Sequence, residues 1–256
     1  MPAEVAVGPP VLSINRGATF MVTDQRGEIA PQHEQGIFAA DTRFVSHYRL
    51  YIEARPWDLL TSAAVHHYTV QVHLANPPVT TSDGEIRAHE LGLSISRLVG
   101  HGIHEDLEIA SYARRPVGFQ FEIDLRCDFA DIFEVREHRV VRRPQISINW
   151  DEQRREMMST YTNRDFERRL AYRVTNAGSP PQFANGRLRF EVALRPGERW
   201  HCCAGYVLVV GGRMHEPPAT CGGSDRGGSQ LGRLQAEWLS RATLVSCANE
   251  DVYRAY

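Results

Sequence analysis

The feature that most constrains this chain is a hydrophobic period of two that recurs along most of its length. From Phe119 the apolar positions run Phe119, Phe121, Ile123, Leu125, Cys127 and Phe129, with Gln120, Glu122, Asp124, Arg126 and Asp128 between them. Successive side chains on a strand point to opposite faces, so this segment reads as a strand with one face on a core and one in water. Tyr68, Val70, Val72 and Leu74 repeat the pattern and are closed by Asn76-Pro77-Pro78. Leu188, Phe190, Val192 and Leu194 repeat it again. Pro196-Gly197 then turns the chain into Trp200, Cys202, Ala204, Tyr206, Leu208 and Val210. Near the start, 20–23 and 28–30 flank Asp24-Gln25-Arg26-Gly27, a hairpin-type turn. Further strands are expected at 43–53, 92–99, 105–113, 139–149, 156–162 and 168–176. Strands polar at alternate positions belong in antiparallel sheets with one wet face, so the expected fold is all-β, a large antiparallel sandwich.

The pattern breaks at 211–229, which is rich in Gly, Pro and Ser and reads as a loop. Beyond it Leu231, Leu234, Trp238, Leu239 and Ala242 keep a helical spacing, with Ser229 as N-cap. Asn249 and the acidic residues after it look like the start of another helix. The expected organisation is a sandwich over 1–212, a loop over 213–229 and a linker helix over 230–256.

Composition narrows the function. All 29 basic residues are Arg and there is no Lys. A P-loop, a pyridoxal Schiff base and a protein-kinase site each require a Lys, so none can be built here. The formal charge of −2 lacks the basic excess that phosphate backbones demand, and no nucleic-acid partner is expected. Five Cys, an odd number with Cys202 and Cys203 adjacent and no C-x-x-C, point to a reducing, cytoplasmic compartment. The N-terminus MPAEVAVGPPVLSIN lacks the basic start and apolar core of a signal peptide. The most apolar stretch, Tyr206 to Val210, is far short of the ~20 residues of a membrane span, so no membrane partner is expected.

Motif searches exclude further chemistries. There is no H-E-x-x-H and no Cys/His set at zinc spacing, His66 and His67 would face opposite ways on a strand, and His101 and His104 flank a turn at Gly102. No metal or cofactor is expected. No G-x-S-x-G elbow and no G-x-G-x-x-G loop occurs.

Two charged runs stand out. In DFADIFEVRE (128–137) the period shifts from two to three at Ala130-Asp131, which suggests a bulge or strand end that re-aims Asp131 and Glu134. Paired carboxylates can serve glycoside hydrolysis; the simpler reading pairs them with Arg136 or another Arg at a corner between sheets. In GIFAADTRFVS (36–46), Asp41-Thr42-Arg43 interrupts an apolar strand entry. A buried or interfacial ion pair explains it, and the functional alternative is a polar rim that meets a sugar hydroxyl or a neighbouring domain. Asp41, Arg43, Asp131, Glu134 and Arg136 are the residues expected at a ligand, and none is assigned a catalytic role.

FMVTDQRGEI (20–29), GIFAADTRFVSHYRLYI (36–52) and DFADIFEVRE together resemble the N-terminal domain of bacterial glycogen debranching enzymes of the amylo-α-1,6-glucosidase type. VQVHLANP (70–77) and the segment from Arg97 through Glu105 to Tyr112 resemble it more weakly. The resemblance spans about 12–212 and implies a β-supersandwich that precedes an α/α toroid carrying the glycosidase carboxylates. It implies a toroid domain as partner, in cis or in trans, and an α-glucan as ligand, with Trp57, Trp150 and Tyr161 as aromatics that could stack on sugar. No catalytic residue of the family has a counterpart here. Two other readings compete. One is a stand-alone glycosidase or epimerase using Asp131 and Glu134; the other is an interaction module binding through the helix face Leu231, Leu234 and Trp238.

Overall fold

The computed structural model describes residues 10–217 and 230–243. The chain divides into two compact units, Met1–Cys221 and Gly222–Tyr256.

In the first unit all strand pairings are antiparallel. A nine-stranded sheet runs in the order Ser147–Asp151, Glu156–Asn163, Phe166–Thr175, Arg199–Val210, Ile103–Ser111, Leu91–Val99, Thr69–Ala75 and Asp58–His66, with Arg213–His215 added against Arg199–Val210. A five-stranded sheet, Gln182–Ala184, Arg187–Leu194, Val117–Arg126, His47–Ile52 and Arg55–Pro56, packs over it. The seam is aromatic: Phe121 and Phe190 from the smaller sheet meet Trp200 of the larger edge-on, at 5.5 and 5.1 Å between ring centres. A second five-stranded sheet, Val11–Arg16, Thr19–Asp24, Gly36–Ala39, Thr42–Val45 and Ala130–Asp131, continues from the first. The join is at Ser46, between Thr42–Val45 and His47–Ile52, and at Cys127–Phe129 opposite. Ser46 N donates to Arg126 O, and Phe129 takes a left-handed φ of 49°. The all-β antiparallel sandwich expected from the period of two is the fold observed.

The core carries one buried polar knot. Arg97 and Glu105, neighbours across a strand pair, are both fully buried, with Nε 2.5 Å from Oε2. Glu105 Oε1 accepts from the Tyr48 hydroxyl at 2.8 Å, Tyr206 at 3.2 Å and Tyr172 at 3.4 Å, and Arg97 Nη1 donates to Gly27 O at 2.6 Å. A charge pair out of water survives only when most of its remaining hydrogen-bonding capacity is filled; the three hydroxyls and the carbonyl fill all but Arg97 Nη2, which stays buried without a partner.

Several expectations are corrected. The strand expected at 139–149 begins only at Ser147, because a short helix, Ile132–Arg136, takes the chain first and Pro144 then bars an early ladder. The turn at Asp24–Gly27 closes as expected, with Gly27 N donating to Asp24 O at 3.1 Å and Asp24 N to Glu28 O at 2.9 Å, but no ladder continues from it. Asp24 Oδ1 accepts from the amides of Arg26 and Glu28, and Ile29 bridges Tyr48 instead. The loop expected from 213 begins later, since Gly211-Gly212 (φ 54° and 78°) make a tight hairpin into Arg213–His215. The strand Asp58–His66 carries no clean alternation because it is a sheet edge, with Leu60 and Val65 exposed. In the second unit, helix Gln230–Arg241 forms as expected and exposes Leu234, Trp238 and Leu239. Ser229 as cap, the side chain of Leu231, and the segment 249–256 lie outside the described residues.

Candidate functional site

The two charged runs converge. Gly36–Ala39 and Thr42–Val45 are joined by a two-residue turn, Ala40-Asp41, with φ of 45° and 56°. This is the mirror-image turn that matches strand twist, built without the usual Asn or Gly. Strand Thr42–Val45 pairs with Ala130–Asp131, so Asp131 stands across from Thr42. Asp131 then ends its strand and starts the helix, its Oδ1 accepting from Phe133 N at 2.8 Å. Asp41 O accepts from Ile132 N at 2.9 Å and ties turn to helix. The shift from period two to three at Ala130-Asp131 is therefore a strand end passing into a helix.

Arg43 is buried and points inward. Its fork meets Asp128, with Nε 3.2 Å from Oδ2, and Nη1 donates to the carbonyls of His33 and Gln35. The ion pair suggested by Asp41-Thr42-Arg43 thus forms with Asp128, 85 residues away along the chain, and Asp41 stays exposed. Gly36 makes room for it: a Cβ there would stand 2.6 Å from Arg43 Cδ. Glu134 is held by Arg143, which donates to both its oxygens at 3.0 Å. Burial alone would lower the Arg143 pKa, but the Glu134 carboxylate outweighs it and raises it. Arg136 faces the other side of the helix, on an apolar cavity of about 600 Å³ with Phe20, Phe38, Ile132 and Val135.

On the near side lies a cleft of about 390 Å³ lined by Asp41, Thr42, Phe129, Asp131, Arg143, Tyr161, Phe166 and Arg168, together with Ala40. Its base is aromatic: Phe129 stacks on Tyr161, and Tyr161 meets Phe166 edge-on at 5.9 Å. Arg168 lies 4.2 Å over the Phe166 ring and donates to Thr42 Oγ1 at 3.2 Å. Burial lowers its pKa, and among the described residues it has no carboxylate partner. The cleft thus offers two exposed carboxylates, one unneutralised guanidinium and an aromatic base. The structure brings Asp41 and Asp131 here and leaves Arg43 and Arg136 outside. Of the aromatics expected to meet sugar, Tyr161 is in the cleft, Trp57 is locked in the core, and Trp150 stacks on Phe183. Arg143, in the loop before Ser147–Asp151, and Phe166 and Arg168, on the strand Phe166–Thr175, are not legible as site residues, since nothing in their local pattern separates them from other polar or surface positions.

Residues 14–204 match the family of N-terminal domains of some glycogen debranching enzymes. The chain belongs to that family. None of the curated proteins matches it. Among solved structures, a protein assigned as a kojibiose phosphorylase from the human microbiome shares the fold (TM-score 0.50, 9% identity), covering 91% of this chain and 33% of that one. Galactose mutarotase-like proteins are more distant. That of Clostridium acetobutylicum has TM-score 0.41 and 6% identity, covering 78% of this chain and 95% of its own; that of Lactobacillus casei has 0.42 and 8%, covering 78% and 100%. In this debranching-enzyme-type domain, no described helix is long and apolar enough to cross a membrane. Both turn and helix that build the cleft lie inside the matched range.

Proposed function

We propose that this domain is a non-catalytic partner of an α/α toroid glycosidase domain, carried in the same chain or supplied by another, in a cytoplasmic amylo-α-1,6-glucosidase-type system. In this reading the Asp41–Asp131 cleft rims the site where an α-glucan binds. The observation that carries it is convergence: GIFAADTRF and DFADIFEVRE, distant in sequence, meet in one cleft. There carboxylates can accept from sugar hydroxyls, Arg168 can donate to them, and the exposed part of Phe166 offers an apolar contact beside the guanidinium. Asp131 and Glu134 suit acid–base catalysis poorly, because one caps a helix and the other is closed by Arg143 on both oxygens.

The test is calorimetry with linear and branched α-glucans, run beside an assay for released sugar. Weak binding is expected, reduced at least tenfold by Arg168→Ala combined with Asp41→Ala, with no hydrolysis by this chain alone. Hydrolysis would overturn the non-catalytic role. Thermal silence with every α-glucan would overturn the cleft as a glucan rim.

A further inference from the structure

The strands Ile103–Ser111 and Arg199–Val210 are paired so that Asp106 faces Cys203, His104 faces Gly205 and Glu108 faces His201. Alternation sends Glu105, Leu107, Cys202 and Ala204 into the core and His104, Asp106, His201 and Cys203 together onto the other face. That face is nonetheless closed: Cys203 is fully buried, His104 is 4% exposed, and Pro217 lies over Gly205. Donor atoms of His104, Asp106 and Cys203 all lie within 4.8 Å of one another. His104 Nε2 is 3.2 Å and Cys203 Sγ 3.0 Å from Asp106 Oδ1; His201 Nε2 is 3.1 Å from Sγ and 3.6 Å from Oδ1. His104 Nε2 is buried and, despite that proximity, makes no hydrogen bond.

We propose that His104, Asp106 and Cys203, with His201 as fourth donor, form a structural Zn²⁺ site on the outer face of the nine-stranded sheet. Zinc takes imidazole, carboxylate and thiolate ligands at about 2.0–2.3 Å, and a tetrahedron of that radius has edges of roughly 3.3–3.6 Å. Four of the six edges such a set would have measure 3.0 to 3.6 Å, and His104 and Cys203 lie within 4.8 Å of each other. The three-residue set is thus compact before any metal draws it in, and His201, beside Cys203 and Asp106, would complete it by turning inward. Charge balances as well. Binding releases the Cys203 thiol proton, and one thiolate plus one carboxylate neutralise the dication, as a buried site requires. The ion would give His104 Nε2 its partner and clamp two central strands together, with His201 at the more open edge.

The full chain, stripped with chelator and reloaded with Zn²⁺ or Co²⁺, decides the matter by metal analysis and absorption. One metal per chain is expected to survive gel filtration, and Co²⁺ should give a thiolate-to-metal charge-transfer band. Cys203→Ser should abolish the band, and Cys127→Ser, remote from the cluster, should keep it. His201→Ala, at the partly exposed ligand, should retain the fold by circular dichroism and weaken affinity at least tenfold. Absence of stoichiometric metal, a band surviving Cys203→Ser, or unchanged affinity in His201→Ala would each overturn the proposal.

Discussion

At the residue scale, the chain spends its Arg side chains on planar, directional contacts. Arg43 shows what that achieves: a fork closes on Asp128 while Nη1 reaches two carbonyls, a geometry an ammonium cannot copy. Arg43→Ala should therefore destabilise the fold by about 3 kcal/mol or more, because it leaves Asp128 without its cation. Arg43→Lys should recover little of this, and urea titration measures both. The Arg97–Glu105 knot makes a prediction in pH. Burial, followed by the neighbouring Glu105 charge for Tyr48 and Tyr206 and the neighbouring tyrosines for Tyr172, pushes all three hydroxyls well above the usual tyrosine pKa. The folded state then holds protons that the unfolded chain gives up above pH ~10. Stability conferred by these groups is complete below that pH and falls as pH rises, by up to about 1.4 kcal/mol per pH unit for each tyrosine. An alkaline titration monitored at the tyrosinate band should show three tyrosines that ionise only as the protein unfolds. Early ionisation of all nine would contradict it.

At the scale of elements, the turn at Ala40-Asp41 is the least self-sufficient piece. Its positive φ values suit Asn and Gly, and nothing in the residue pair asks for them. Contacts made elsewhere hold it: Asp41 O with the helix amide of Ile132, and Thr42 with Arg168. Ala40→Asn should then stabilise the protein by about 0.5–1 kcal/mol, read as a higher denaturation midpoint with unchanged slope. Asp131→Ala removes the helix cap and should cost about 1 kcal/mol. It should also disturb Glu134 and Arg143, since the helix carries Glu134. By contrast Asn185-Gly186 is a hairpin legible in two letters, and its φ values of 51° and 78° are those such a pair adopts. What separates the two turns is whether local sterics or distant contacts decide the backbone.

At the scale of the whole molecule, Met1–Cys221 is one compact unit with a continuous core between its sheets. A chain ending at residue 221 should keep the stability of the full chain to within about 0.5 kcal/mol in urea titration, the range of changes that touch no core contact. A large loss would contradict it.

The period of two determined the class of fold, because on a strand the face of a side chain is set by its position alone. It also placed charged residues on the faces turned from the core, where Glu122 with Arg189, Asp124 with Arg187 and Glu156 with Arg173 pair across strands, each carboxylate buried under its Arg. The family was legible too, in the runs 20–29, 36–52 and 128–137. Which residues would meet was not. Arg43 with Asp128, Asp41 beside Asp131 and Arg168, and His104 beside Cys203 all depend on strand order and register. Those are set by closing long loops and burying a shared core, and a one-residue slip would send each of these side chains to the opposite face. Local pattern decides where a side chain points, and only the tertiary structure decides what it points at.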